Sequence, residues 1–336
     1  MNNITILLTR DCNLNCQYCF EEHSSAKMST NIADIIIYKV RKYGIKRISF
    51  FGGEPLLNWD MVCYIINNCE KQNIPVKYGL ITNGVLLNKE KIQYLKIHGV
   101  DLAISFDGNN HNNYRGKTEI VYSTILLASK IIDNLTICPV ICKDNIIGFA
   151  DDMIDLYERG VNRILPSLNE KDCQWIPEDF IELRGEFNKI ATYIARQRRL
   201  GQYKKFGAFD AIYHSIINNT RKPNCSNCHF CKDNYVVDTD GSIYPCVLFA
   251  DDNNNCIGNI AGTIDNEKIS NLMRNYSKKI YAECESCEYS WFCHNTCACQ
   301  NYVKHNYSQY TTCDYIKMNF GVISEIIDML NNGLLQ

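Results

Sequence analysis

Cys12-Asn13-Leu14-Asn15-Cys16-Gln17-Tyr18-Cys19 places three thiols on one short loop, directly after an apolar run at residues 4–9. Cysteine thiolates are the usual ligands of iron–sulfur clusters, and such short spacings let a single loop wrap several corners of a cubane. Three thiolates for four irons leave one iron open. An open metal position marks a catalytic site, whereas structural sites are closed. The alternative is a structural zinc loop, which would need a fourth ligand from elsewhere in the chain.

Outward from this loop, apolar runs at 4–9, 47–51, 77–82, 100–105, 135–140 and 162–166 alternate with segments at 31–43, 59–71, 122–133 and 148–159 that carry apolar residues at i, i+3, i+4 spacing. Strands alternating with helices predict a parallel sheet with right-handed crossovers. Six such units are too few to close an eight-stranded barrel. The expected fold is therefore α/β, an open partial (β/α)6 TIM-like barrel with its chemistry at the carboxyl ends of the strands. A long helix is expected at 177–198. At about residue 201 the composition shifts to one dense in Cys, Asn, Asp and Tyr, which predicts a barrel domain over 1–200 and a cysteine-rich domain over 201–336. Within the latter, 235–244 alternates around Asp240-Gly241 and reads as a β-hairpin, and 316–335 as an amphipathic helix.

The 336 residues include 35 basic and 37 acidic side chains, with no Lys/Arg stripe of the kind nucleic-acid binding uses. Neither a signal h-region nor an apolar stretch approaching 18 residues is present, so the expectation is a cytoplasmic protein with no membrane association. Nineteen cysteines in such a chain argue for metal ligation under reducing, anoxic conditions and against a disulfide framework. Cys63, Cys69, Cys138, Cys142 and Cys173 sit in apolar or helical patterns and read as ordinary buried thiols.

Three more motifs fall at expected strand ends: Gly52-Gly53-Glu54-Pro55, Thr82-Asn83-Gly84, and Ser105-Phe106-Asp107-Gly108 followed by His111 and Arg115. Each alone is a turn signature. Together with the cysteine loop they form a ring at the carboxyl end of the barrel, where such folds keep their active sites.

The cysteine triplet, Tyr18 before its third member and Gly52 to Pro55 after the second strand resemble the radical S-adenosylmethionine (SAM) enzymes. The resemblance implies that Cys12, Cys16 and Cys19 hold a [4Fe-4S] cluster whose open iron chelates SAM. It also implies that Gly52, Gly53 and Glu54 receive the ligand's amino group, with Tyr18 and Pro55 completing the two motifs, and that Asn83 and Ser105 contact its ribose or carboxylate. Reductive cleavage would then give a 5'-deoxyadenosyl radical that abstracts hydrogen from a substrate.

Further along, Cys284-x2-Cys287-x5-Cys293-x3-Cys297, then Cys313, resemble the SPASM extension of this family, most of whose members modify peptides or proteins. That resemblance implies two auxiliary [4Fe-4S] clusters, three in all. One would be held by Cys225, Cys231, Cys246 and Cys297, the other by Cys284, Cys287, Cys293 and Cys313, with Cys228 able to replace Cys225 or Cys231. In anaerobic sulfatase-maturing enzymes, an aspartate proposed as the base follows the cysteine at the position of Cys246, where this chain has Val247. The expectation is a maturase of a ribosomally made precursor peptide. Thioether crosslinking ranks first, carbon–carbon crosslinking second and formylglycine formation third. A flavodoxin or ferredoxin would donate electrons. With no room for a leader-recognition domain before Cys12, the leader would be bound by the barrel, by the cysteine-rich domain or by a separate leader-binding protein. The rival from another class is a non-enzymatic iron–sulfur electron carrier or zinc scaffold, which would not need Gly52 to Pro55.

Overall fold

The computed structural model of the protein describes residues 2–169, 175–219, 233–276, 286–289 and 311–332. Along the chain these form β1 (Asn3–Leu7), α1 (Thr30–Tyr43), β2 (Arg47–Phe51), α2 (Trp59–Lys71), β3 (Lys77–Thr82), α3 (Lys89–Ile97), β4 (Val100–Ile104), α4 (His111–Tyr114), α5 (Thr118–Ser129), β5 (Thr136–Ile137), β6 (Val140–Ile141), α6 (Phe149–Glu158), β7 (Arg163–Ile164), β8 (Ser167–Leu168), α7 (Pro177–Arg199), β9 (Lys205–Phe206), α8 (Phe209–Ile217), β10 (Asn234–Val237), β11 (Ser242–Tyr244), β12 (Gly258–Asn259), α9 (Asn266–Tyr276) and α10 (Thr311–Asn331). The described residues pack as two compact units, one drawn from 2–104 and 233–276, the other from 105–169, 175–219, 286–289 and 311–332.

In the first unit the strand order is β12-β11-β10-β1-β2-β3-β4. β1 has parallel partners on both sides, Asn3 standing opposite Asn234 on β10 and Arg47 on β2. Its burial alternates, with Ile4 and Ile6 buried on one face, Asn3 and Thr5 half-buried on the other, and Leu7 buried at the strand's end. α1 starts where the Ser29 hydroxyl accepts the Ile32 N–H, buries Ala33, Ile36, Ile37 and Val40 on one face, and ends at Gly44 in the left-handed region. The hairpin expected at 235–244 forms as β10 and β11, and β10 extends the sheet that carries the cysteine loop. Leu7, Val236, Tyr244 and Ala250 bury together, with Phe51, Val247 and Cys256 packed against them.

In the second unit β5, β7 and β9 pair in parallel, and β6 and β8 form a separate parallel pair. The single strand expected at 135–140 is divided into β5 and the start of β6 because Pro139 lies between them. Proline has no N–H to give a ladder. Arg184 on α7 pairs with Glu325 on α10. Among the described residues, no helix is long and apolar enough to cross a membrane.

Candidate active site

The cysteine loop leaves the end of β1 and is tied back to the chain that follows it: the Arg10 N–H donates to the Ala26 carbonyl at 2.9 Å, and Thr9 bridges Lys27. Within the loop the Cys19 N–H donates to the Cys16 carbonyl at 3.0 Å, and Leu14 is buried as its apolar anchor. The thiols of Cys12, Cys16 and Cys19 are all half-buried, as is Tyr18. Burial pushes the Cys12 thiol up to about 11, so a thiolate there needs a nearby cation, which a metal centre supplies. His23 Nε2 lies 3.5 Å from Cys19 Sγ. Among the described residues, no three His, Cys, Asp or Glu side chains converge on a single-ion site. A cubane asks for something else, one thiolate at each of three separate irons, and the three half-buried loop thiols fit that donor set.

Gly52 and Gly53 end β2 against the backbone of this same loop. A Cβ at Gly52, whose φ is 130°, would lie 2.3 Å from the Thr9 carbonyl oxygen, and one at Gly53 would lie 2.4 Å from that of Asp11. The Gly53 N–H donates to Thr9 O at 3.0 Å and the Glu54 N–H to Asp11 O at 2.8 Å. The close approach that demands glycine is thus made by the chain itself, and it fixes the entry to Cys12.

Glu54 is fully buried. Its Oε1 accepts the Leu56 N–H at 3.0 Å and the Thr82 hydroxyl at 2.7 Å, and its Oε2 accepts the Asn83 N–H at 2.8 Å. Pro55 follows as the buried first residue of a 3-10 turn. Burial raises the Glu54 carboxyl above the usual range, and the three donors oppose that rise. Its acceptors face the protein, clamping the end of β2 to that of β3. Glu54→Ala would strand three donors away from water, each costing about 1–3 kcal/mol. The apoprotein variant is expected to unfold at clearly lower urea than the parent.

Arg10 was not singled out by any sequence pattern. Its guanidinium grips Asp238 through Nε at 3.1 Å and Nη2 at 2.6 Å, meets Asp251 through Nη1 at 2.5 Å, and donates to the Ala250 carbonyl at 2.9 Å. The cysteine loop is thereby fastened to the hairpin that carries Cys246. Asp240 holds the hairpin turn itself, accepting from the Ser242 N–H and hydroxyl at 2.8 and 3.0 Å.

In the second unit, half-buried Ser105 follows β4. Next to it, buried Asp107 accepts the Val140 N–H at 2.9 Å and the Arg115 Nε–H at 3.0 Å. His111 Nδ1 accepts the Asp107 N–H at 3.2 Å, which places the imidazole proton on Nε2, and Nε2 is buried with no hydrogen-bond partner among the described residues. Burial, with Arg115 adding to it, pushes His111 down to about 4. The unfolded chain, with an ordinary histidine near 6.5, binds the proton first, so stability from this group is present above that value and is lost as pH falls toward 4. Between pH 7 and pH 5 the loss should be about 2 kcal/mol, read by urea unfolding of the apoprotein, and His111→Gln should flatten the dependence.

Of the expected auxiliary ligands, Cys246, Cys287 and Cys313 are described, each half-buried. Cys246 precedes a 3-10 turn, Val247–Phe249, and Cys313 lies on α10. Cys225, Cys231, Cys284, Cys293 and Cys297, like Cys228, lie outside the described residues.

Residues 6–159 match the radical SAM superfamily. A cysteine-type anaerobic sulfatase-maturating enzyme of Clostridium novyi is 25% identical over 88% of this chain and 88% of its own length. Native anSMEcpe with bound AdoMet and the Cp18Cys peptide superposes with a TM-score of 0.78 at 20% identity, covering 98% of this chain and 99% of that one. SuiB of Streptococcus suis bound to its precursor peptide SuiA superposes with a TM-score of 0.65 at 17% identity, covering 87% of this chain and 71% of that one. The chain carries a radical SAM domain over residues 6–159, and this family implies a [4Fe-4S] cluster and SAM. Its fold is the radical SAM partial barrel of the SPASM-type sulfatase and peptide maturases.

Proposed function

We propose that this enzyme oxidises a residue of a ribosomally made peptide and that the product is a thioether crosslink. The observation that carries the reading is the coincidence of the Cys12–Cys16–Cys19 loop, backed by Gly52 to Pro55, with a fold likeness covering 98% of the chain to a maturase holding AdoMet and a peptide. When bound, cluster and SAM supply a 5'-deoxyadenosyl radical. The chain's own part is to hold the three thiols on the loop that Gly52, Gly53 and Arg10 fix, with Ser105 at the end of β4 for the ligand's polar groups. Residues 201–336 act as the electron-accepting domain, with one auxiliary cluster on Cys225, Cys231, Cys246 and Cys297 and another on Cys284, Cys287, Cys293 and Cys313. That makes three clusters and about twelve irons. A flavodoxin or ferredoxin supplies electrons, and a separate leader-binding protein can present the peptide.

Formylglycine formation is the second reading, favoured by the likeness to the Clostridium novyi enzyme across 88% of both chains. Against it, Cys246 is followed by Val247. The nearby acids have other tasks as well: Asp238 and Asp251 are held by Arg10, and Asp240 by Ser242. Incubating the reconstituted enzyme with SAM, dithionite and a sulfatase peptide should leave its Cys or Ser unconverted. Robust formylglycine would place that reading first.

A further inference from the structure

The strand-end motifs of the first unit are joined by one chain of hydrogen bonds, and its last member reaches a thiol of the cysteine loop. Glu54 takes the Asn83 N–H and the Thr82 hydroxyl, fixing the backbone where β3 ends. The side chain of Asn83 then has its orientation decided. Its Oδ1 accepts the Val85 N–H at 3.0 Å, so the nitrogen must occupy the other position of the amide. That nitrogen carries two hydrogens. One is donated to Asn13 Oδ1 at 2.8 Å, and the other faces Cys12 Sγ at 3.9 Å. Asn83 is 7% exposed, so water is not at hand to replace the donor. For the amide to turn to a ribose, as the sequence resemblance implies, it would have to surrender one of these bonds.

Resting on the reading that Cys12 ligates iron, we propose that Asn83 is a positioning residue that donates an N–H···S hydrogen bond to the Cys12 thiolate and so makes the catalytic cluster easier to reduce. Reduction adds an electron to a cluster whose charge is shared with its sulfur ligands. A donor aimed at one of those sulfurs stabilises the reduced form more than the oxidised form, and hydrogen bonds to sulfur are among the protein's main controls over cluster potential. Of the groups that hold Asn83 in place, Glu54 lies in the Gly52 to Pro55 motif and Asn13 in the cysteine loop, so these two motifs meet at this residue. Glu54 acts through it, as a second positioning residue.

The test is an anaerobic redox titration of the full-length reconstituted enzyme, following by electron paramagnetic resonance the reduced-cluster signal that changes when SAM is added. Asn83→Ser is too short to reach Cys12, and Asn83→Leu keeps bulk without a donor. In each, at the potential where the parent cluster is half reduced, the ratio of reduced to oxidised cluster should fall about tenfold, as expected for loss of one hydrogen bond to a charged acceptor. For a one-electron couple that is a shift of about 59 mV to more negative potential. Glu54→Gln presents an amide where three donors point and should shift the potential in the same direction. Parental potentials in both Asn83 variants, at unchanged iron content, would overturn the proposal. Absence of any SAM-sensitive signal in the parent enzyme would instead overturn the iron reading beneath it.

Discussion

Replacing Cys12, Cys16 and Cys19 together by alanine is expected to remove about a third of the iron from the anaerobically reconstituted protein and to abolish cleavage of SAM. The fraction follows from three thiolates on the loop after β1 and eight further clustered cysteines proposed for two auxiliary clusters. The complete loss follows because the open iron belongs to the loop's cluster: eight thiolates saturate two cubanes and leave no other corner for SAM to chelate. Iron quantification and chromatographic detection of 5'-deoxyadenosine read the two effects separately. A full iron load in the triple variant, or zinc in the parent protein, would remove the cluster from this loop. The structure adds a control. Cys63 and Cys69 lie on α2, and substituting them should leave iron and cleavage as they were.

The second large effect is expected at Arg10. Its guanidinium side chain is 8% exposed and faces Asp238 and Asp251, whose side chains are 13% and 23% exposed. Removing one partner of a buried ion pair leaves an uncompensated charge and typically costs 3–5 kcal/mol. The partial exposure of Asp251 puts Arg10→Met toward the lower end, at about 3 kcal/mol. Glu21, buried beside this cluster and pushed by burial up to about 7, depends on Arg10 for opposite charge as well. Urea unfolding of the apoprotein gives the number, and the double variant Arg10→Met/Asp238→Asn should be less destabilised than the sum of its parts, because the stranded carboxylate is gone. Iron uptake should fall alongside stability, because Arg10 is two residues before Cys12 and fastens the loop to the β10–β11 hairpin.

The local parts of this architecture were legible in the sequence. β2 and β3 begin and end where their apolar runs do, and α2 matches its periodic segment, since burial on one face leaves a period that can be read directly. α3 left no comparable trace because few of its residues, Ile92 and Leu95 among them, are buried. The split at Pro139 could have been read from proline's missing donor alone. The three cysteines and Gly52 to Pro55 were legible as chemistry. What was hidden is what holds them. Gly52 and Gly53, expected by resemblance to meet the amino group of SAM, also press on the backbone of Thr9 to Asp11, which no spacing in the sequence reveals. Glu54, expected by resemblance to receive the amino group of SAM, also accepts from Leu56, Thr82 and Asn83, a role its sequence position does not announce. Arg10 meets Asp238 across 228 positions of sequence, and Asn2 meets Asp233 across 231. No spacing rule spans such separations, because they are set by β10 pairing with β1, and a strand's partner is not written in its own periodicity.

The central claim is peptide oxidation with consumption of a thiol, and the most direct measurement is the mass of a candidate cysteine-containing precursor peptide, sought in the gene neighbourhood, after incubation with the reconstituted enzyme, SAM and dithionite. The account predicts a loss of two hydrogens per event, with one cysteine of the product no longer alkylated by iodoacetamide. A peptide of unchanged mass while SAM is cleaved, or one that loses two hydrogens with every cysteine still reactive, would contradict thioether formation.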